Sequence, residues 1–218
     1  MRIRILILAL GFIGCRDVED PVDIGYDYFP LDVGFEWVYQ VDSIYHDDFS
    51  QNQSSDTFRY YRKEVIMEEA DIISPEKRYN VDVFYKTDST NWQYKSSMVV
   101  YKNDLRAVRS INNKSVMHLL FPVADRVYWD ANQLNSEGQD RFRYIDDEKH
   151  RSMMKDSFLN NVFVQQAFDT TIIDEDIRWE LFAEGVGLVE KQAVSLEKQF
   201  GKKKGFDYRW KLMSFTKN

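Results

Sequence analysis

The stretch Phe35-Glu36-Trp37-Val38-Tyr39-Gln40-Val41-Asp42 decides the fold class. Phe35, Trp37, Tyr39 and Val41 fall on one phase of a two-residue period, the repeat of a β-strand whose successive side chains point to opposite faces. The same period recurs far along the chain. Tyr79, Val81, Val83 and Tyr85 alternate with Asn80, Asp82, Phe84 and Lys86, and Phe206, Tyr208, Trp210 and Leu212 with Asp207, Arg209, Lys211 and Met213. Such runs predict half-buried strands with one wet face. Aromatic residues form 15% of the chain, which suits a pleated surface.

Turn signals separate the runs. Asp88-Ser89-Thr90-Asn91 precedes a strand from Trp92, Lys102-Asn103-Asp104 precedes Leu105, and Asn112-Asn113-Lys114 precedes a stretch from Val116. Spacings near ten residues predict an antiparallel meander. Three strands are expected at the end, over about 177–183, 188–199 and 206–216. Their connections are Glu184-Gly185-Val186-Gly187 and Gly201–Gly205, with Lys202-Lys203-Lys204 as a solvated hairpin tip. Asp174-Glu175-Asp176 reads as a loop before Ile177, and Asn135–Asp140 as a polar loop. Asp146–Phe158 reads as either a short helix or a long connection. The expected fold is mainly β: a single antiparallel curved sheet, an incomplete barrel or a sandwich, with at most one or two short helices.

The amino-terminal end carries an address. Met1-Arg2-Ile3-Arg4 is basic, Ile5–Ile13 has no charge, and Gly14-Cys15 follows. This is the layout of a secretory signal. The apolar run is about half of the roughly 20 residues a membrane-spanning helix needs. Phe12-Ile13-Gly14-Cys15 resembles the lipobox of bacterial lipoproteins, with Phe12 in place of the usual leucine. The resemblance implies diacylglycerol on Cys15, cleavage before it and acylation of the new amino terminus. The expected domains are a signal over 1–14, a lipidated acidic tether over 15–25 and a β-rich domain over 26–218. Asp17, Glu19 and Asp20 resemble a surface-display signal of some bacteria, and a solvated linker is the other reading.

Cleavage would remove Arg2 and Arg4 but no carboxylate, taking the formal net charge from −7 to −9. That balance argues against nucleic acid and anionic lipid surfaces as partners. Cys15 is the single cysteine, so the mature domain forms no internal disulfide. About 200 residues bury enough surface for one domain without it.

Chemistry-bearing motifs are sparse. His46, His118 and His150 have no metal-ligand spacing, and the acidic turns beside His46 and His150 lack the ordered oxygen pattern of a calcium loop. No metal and no cofactor are expected. The chain has no Gly-x-Ser-x-Gly, Gly-x-Gly-x-x-Gly or Walker-type loop, so no catalytic residue is assigned. Carboxylate pairs remote in sequence stay open as glycosidase machinery. Gly185 and Gly187 read as a structural turn needing positive φ. Of five tryptophans, Trp37 and Trp210 lie on the core phase. Trp92 and Trp129 adjoin turns and are the candidates for ligand stacking.

Three words resemble those of lipoproteins predicted in Bacteroidetes-type bacteria. Phe29-Pro30-Leu31-Asp32-Val33-Gly34-Phe35-Glu36-Trp37-Val38-Tyr39 matches an opening "FPL-x-x-G-x-x-W-x-Y". Phe121-Pro122-Val123 with Trp129-Asp130-Ala131-Asn132 resembles a second word, in which Arg126 stands near a common glycine. Ala183–Val189 resembles "A-x-G-V-G-L-V", followed by a closing aromatic strand over Phe206–Phe215. The resemblance implies the address and a β-rich fold, and transfers no activity. The expected function is a membrane-anchored cell-envelope lipoprotein, a non-enzymatic binding or assembly module. It would be held by lipid on Cys15, in the outer membrane, with an envelope protein as partner. The alternative is a sugar- or lipid-processing hydrolase.

Overall fold

The computed structural model describes residues 23–50, 54–70, 73–145 and 160–217. The expected signal over 1–14, Cys15, most of the expected tether and Asp146–Phe158 lie outside the described residues. Twelve strands form one sheet. They are β1 (Glu36–Asp47), β2 (Ser54–Glu69), β3 (Arg78–Lys86), β4 (Gln93–Lys102), β5 (Arg106–Ile111), β6 (Lys114–Leu120), β7 (Tyr128–Asp130), β8 (Arg141–Ile145), β9 (Asn161–Thr170), β10 (Asp174–Ala183), β11 (Gly187–Gln199) and β12 (Lys202–Thr216). The helical element among the described residues is a single 3-10 turn, Tyr26–Tyr28.

The order is β6-β5-β4-β3-β2-β1-β12-β11-β10-β9-β8-β7, a meander in which every neighbour is antiparallel. The first and last strands pair in the middle. β6 and β7, consecutive in sequence, are the two edges, and they face each other across the seam of a nearly closed barrel. Edge backbone needs partners, and side chains and one backbone carbonyl across the seam supply them here. The Tyr144 hydroxyl accepts from Leu120 N–H at 2.8 Å and donates to Leu120 C=O at 2.6 Å. Trp129 Nε1 donates to Met117 O at 2.9 Å, Asn135 Nδ2 to Ser115 O at 2.7 Å, and Met117 N–H to Ala131 O at 2.9 Å.

Antiparallel order fixes which turns share an end. The lower end collects residues 23–35 and the β2–β3, β4–β5, β6–β7 and β10–β11 connections. The upper end collects the β1–β2, β3–β4, β9–β10 and β11–β12 turns. The lower end is capped: Phe29 is buried, Tyr26 meets the Phe121 ring edge-on at 4.9 Å, and Gly185 N–H donates to Asp27 O at 2.8 Å. Gly25, at φ 84°, lets the cap lie close, since a Cβ there would stand 2.7 Å from Val123 Cγ2.

One core fills the barrel, with Trp37, Tyr39 and Val41 from β1, Val81 and Val83 from β3, Phe182 from β10 and Trp210 from β12 all buried. β9–β11, which carry none of the alternating runs, bury apolar residues on both faces near their lower ends. There Phe163, Leu181, Ala183 and Val189 form a second buried cluster, on the face opposite Val164, Phe182 and Leu188. Strands apolar on both faces lose the two-residue signature.

Two turn expectations are corrected. Lys202–Lys204 are not a hairpin tip; they open β12 and pair with Glu197–Gln199. The tip is Phe200-Gly201, at φ 51° and 77°, a left-handed pair suited to a two-residue hairpin. Gly205 is a strand residue: a Cβ there would stand 2.0 Å from Ser195 O on the neighbouring strand. Asp174–Asp176 likewise belong to β10 and pair with Ser195–Glu197. Arg126 takes φ 64°, the left-handed conformation that a glycine adopts more easily.

Candidate functional site

Cross-strand partners in a sheet share a face, so the register maps the inner face row by row. Trp210 is flanked by Lys191 and Val41, and next to them stand Glu180 and Tyr60. One row higher are Arg178, Ala193, Tyr208, Ser43 and Phe58. Above them come Asp176, Ser195, Phe206, Tyr45 and Asp56, and then Asp174, Glu197, Lys204 and Asp47. The face therefore runs from a buried charged network at mid-barrel to an open aromatic and acidic rim.

Two buried carboxylates anchor the network. Glu64 of β2, 2% exposed, accepts from Arg62 Nε at 2.8 Å and from Arg109 Nη1 of β5 at 3.1 Å. Glu180 of β10 accepts from Lys191 Nζ at 2.7 Å and hydrogen-bonds His118 Nδ1 of β6 at 2.7 Å. Burial works against the charged form of Glu64, but Arg109 and Arg62 outweigh it and hold the carboxyl below its ordinary value. The Lys191 cation, with the hydrogen bond from His118, likewise outweighs burial at Glu180 and holds its carboxyl well below the ordinary value. Burial depresses His118 and outweighs the pull of Glu180, so the ring is neutral at pH 7 and its Nδ1–H donates to the carboxylate. Three cations, Arg62, Arg109 and Lys191, thus face two carboxylates inside an acidic protein. The Arg62 guanidinium also lies 4.6 Å from the Trp210 ring. Toward the lower cap, Glu64 and Arg109 line a cavity of about 20 Å³ beneath Phe29 and Pro30, room for about one water.

Above the network the face opens. Tyr60 and Tyr208 share a hydroxyl–hydroxyl bond of 3.2 Å, and the Tyr60 ring lies 5.0 Å from Tyr85. Burial first and Tyr208 second push the Tyr60 phenol upward, so it stays neutral. Beyond these, Phe58 is 61% exposed, Tyr45 45% and Phe206 44%. Phe206 lies on the phase that predicts core; its strand outruns the core it packs on. β2 outruns its neighbour too. Ser54–Tyr60 pair with β1, but pairing with β3 begins at Tyr61, so this edge has no strand partner among the described residues. A surface concavity of about 490 Å³ lies beside the aromatic row, lined by Asp174, Asp176, Glu197, Lys204 and Phe206 among others.

The residues singled out from sequence lie elsewhere. Trp129 is buried, 6% exposed, and bolts the seam through its indole N–H. Trp92 is half-buried at the β3–β4 turn, under Lys86 Nζ at 4.8 Å and Lys63 Nζ at 5.2 Å. Neither joins the inner-face cluster. Gly185 and Gly187 have φ 68° and 90° and sit at the β10–β11 turn, Gly187 against Pro30 and the Trp37 indole. Among the described residues no group of three or more His, Cys, Asp or Glu is placed so that it could hold a metal ion, and no helix is long and apolar enough to cross a membrane. Sequence reasoning passed over Arg62, Glu64, Arg109, His118, Glu180 and Lys191. A signal existed in Tyr60-x-Arg62-x-Glu64-x-Ile66, where charges occupy the same phase as aromatic and aliphatic residues.

No protein-family model matches the chain, and no curated protein matches it in sequence. Two solved structures are similar to it. One is a provisionally assigned lipoprotein from Parabacteroides distasonis, 10% identical with a TM-score of 0.45, covering 90% of this chain and 100% of that one. The other is a provisionally assigned exported protein with a YmcC-like fold from Bacteroides fragilis, 10% identical with a TM-score of 0.43, covering 87% and 98%. A likeness at this level assigns no role to any residue of this chain.

Proposed function

We propose that the chain is an exported, lipid-anchored module of the cell envelope that acts by binding at the upper end of its barrel rather than by catalysis. The observation that carries this reading is the asymmetry of the barrel. Residues 23–35, which lead back to the tether and Cys15, cap the lower end, whereas Phe58, Tyr45 and Phe206 stand exposed at the other. A partner bound there meets the end remote from the anchor. The basic start, short apolar run and Gly14-Cys15 junction supply the address.

The state of the buried carboxylates supports a non-enzymatic role. A glycosidase or similar hydrolase needs one carboxyl that keeps its proton near neutral pH. Glu64 and Glu180 are held the opposite way, as anions clamped by cations. Glu190 is raised by burial, yet it sits on the outer face opposite Lys211.

Cell fractionation tests the address. A stable anchor takes two or more acyl chains, so wild type should sediment with envelope membranes and Cys15→Ala should be released or remain an uncleaved precursor. Identical fractionation and processing of the two would overturn it. Native mass spectrometry tests the protein-partner reading: the purified domain should appear at its bare mass, and a reproducible bound lipid or sugar would overturn that choice.

A further inference from the structure

The free upper edge of β2 and the aromatic, acidic face beside it form one continuous surface, and we infer that it takes an extended, basic segment of a partner protein as an added strand. The inference rests on the binding role proposed above and specifies the partner's chemistry. Three observations meet there. First, Ser54–Tyr60 are seven residues of regular strand hydrogen-bonded on one side only among the described residues. The free side presents backbone N–H and C=O groups that another strand satisfies and a sugar or acyl chain does not.

Second, side chains on an added strand would alternate between the two faces of the sheet. On the inner face they would run beside Phe58, with Tyr45 and Phe206 beyond it. These rings are exposed, so apolar or cationic side chains gain contact area there without displacing the core.

Third, the charge on that face selects the partner. Its upper rows hold six carboxylates, Asp47, Asp56, Asp169, Asp174, Asp176 and Glu197, against two lysines, Lys202 and Lys204. Like charge opposes a second copy of this acidic chain pairing along the same edge, and opposes an acidic peptide. A segment with lysine or arginine at alternate positions sets its cations beside Asp56 on β2, with Asp47 one strand further in and the remaining carboxylates adding a longer-range field of the same sign, while its backbone completes the ladder.

The test uses the purified chain and two end-blocked seven-residue peptides, one alternating lysine with valine and one alternating glutamate with valine. The lysine peptide should slow amide hydrogen exchange over residues 54–60 and bind at least ten-fold tighter than the glutamate peptide. Raising salt should narrow that gap. Asp56→Lys should weaken binding about ten-fold and Phe58→Ala several-fold, each with an unchanged melting temperature, because both side chains are exposed. Three results would overturn the inference. One is no exchange protection over 54–60 at millimolar lysine peptide. Another is equal binding of the two peptides. The third is concentration-dependent dimerisation, in sedimentation, that itself protects this edge. Any of these leaves the Cys15 fractionation result untouched, so failure of the partner chemistry is distinguishable from failure of the envelope assignment.

Discussion

The two ends of the barrel are built from the same kinds of residue and put to opposite use. At the lower end Phe29, Tyr26 and Phe121 are folded inward by the segment over 23–35, and charged groups close to them are paired and buried. At the upper end Phe58, Tyr45 and Phe206 occupy the same face of the sheet and remain in water. The difference is strand length. β1, β2, β11 and β12 have 12, 16, 13 and 15 residues, whereas β5 and β6 have 6 and 7. The long strands carry their alternation past the point where opposing strands supply something to pack on. Residue type sets what a face can bury, and the reach of the neighbouring strands sets what it does bury.

The largest expected effects lie in the closed half. Glu64→Ala leaves Arg62 and Arg109 buried without their shared counter-ion, and breaking a buried ion pair from one side costs about 3–5 kcal/mol. Phe29→Ala removes a fully packed ring and belongs in the same range, about 3–5 kcal/mol. Denaturant unfolding should show both. If Glu64→Ala unfolds at the wild-type midpoint, the network does not hold the halves of the barrel together.

Backbone positions come next. Gly205→Ala places a Cβ against Ser195 O and should cost about 1–3 kcal/mol, the scale of strained backbone. Gly187→Val should behave similarly, because φ is 90° and Pro30 Cδ stands 3.3 Å from the new Cβ. Gly185→Ala meets open space apart from Lys217 Nζ at 3.9 Å, so its cost is conformational alone and smaller. Thermal melts that rank Gly185→Ala as the worst of the three would refute this account of the turns.

Acid should weaken the closed half in two stages. The folded-state pKa of His118 is depressed from 6.5, so as pH falls below 6.5 the unfolded chain takes up a proton that the folded chain refuses, and stability declines. Glu64 and Glu180 are depressed from 4.5; the stability they contribute is present above pH 4.5 and is lost as pH falls through their folded values. Melting temperature should therefore drop from pH 7.5 to 5.5 and again below 4.5. In His118→Gln the first drop should shrink while the second persists; an unchanged first drop would place its cause elsewhere.

The smallest effect is the sharpest contrast. Phe206→Ala and Phe58→Ala should each change stability by less than about 0.5 kcal/mol, as exposed substitutions do. A loss comparable to that of Phe29→Ala would mean that the upper face is packed and the two ends are alike.

Legibility in the sequence followed local physics. The pair Asn112-Asn113, at φ 50° and 62°, forms the tight hairpin its residue types favour. Trp37, Tyr39, Val41, Val81 and Val83 are buried on the phase that alternation marks. The site was not legible. Glu64 meets Arg109 across 45 residues and His118 meets Glu180 across 62, with other strands between them in the sheet order.

By itself the sequence determined the period of the strands, several of the places where the chain turns and the charge balance, because backbone sterics and side-chain alternation act over a few residues. It also carries the export-and-lipidation expectation in residues 1–15. Tertiary structure alone decided that β1 pairs with β12, that β6 and β7 meet at a seam, and that six charged or titratable side chains share one interior. It also decided that Phe206 stays in water while Trp210, four residues along the same strand face, is buried. The reason is that burial and ion pairing depend on which distant strand arrives opposite a residue and how far it extends, and neither is encoded in that residue's neighbourhood.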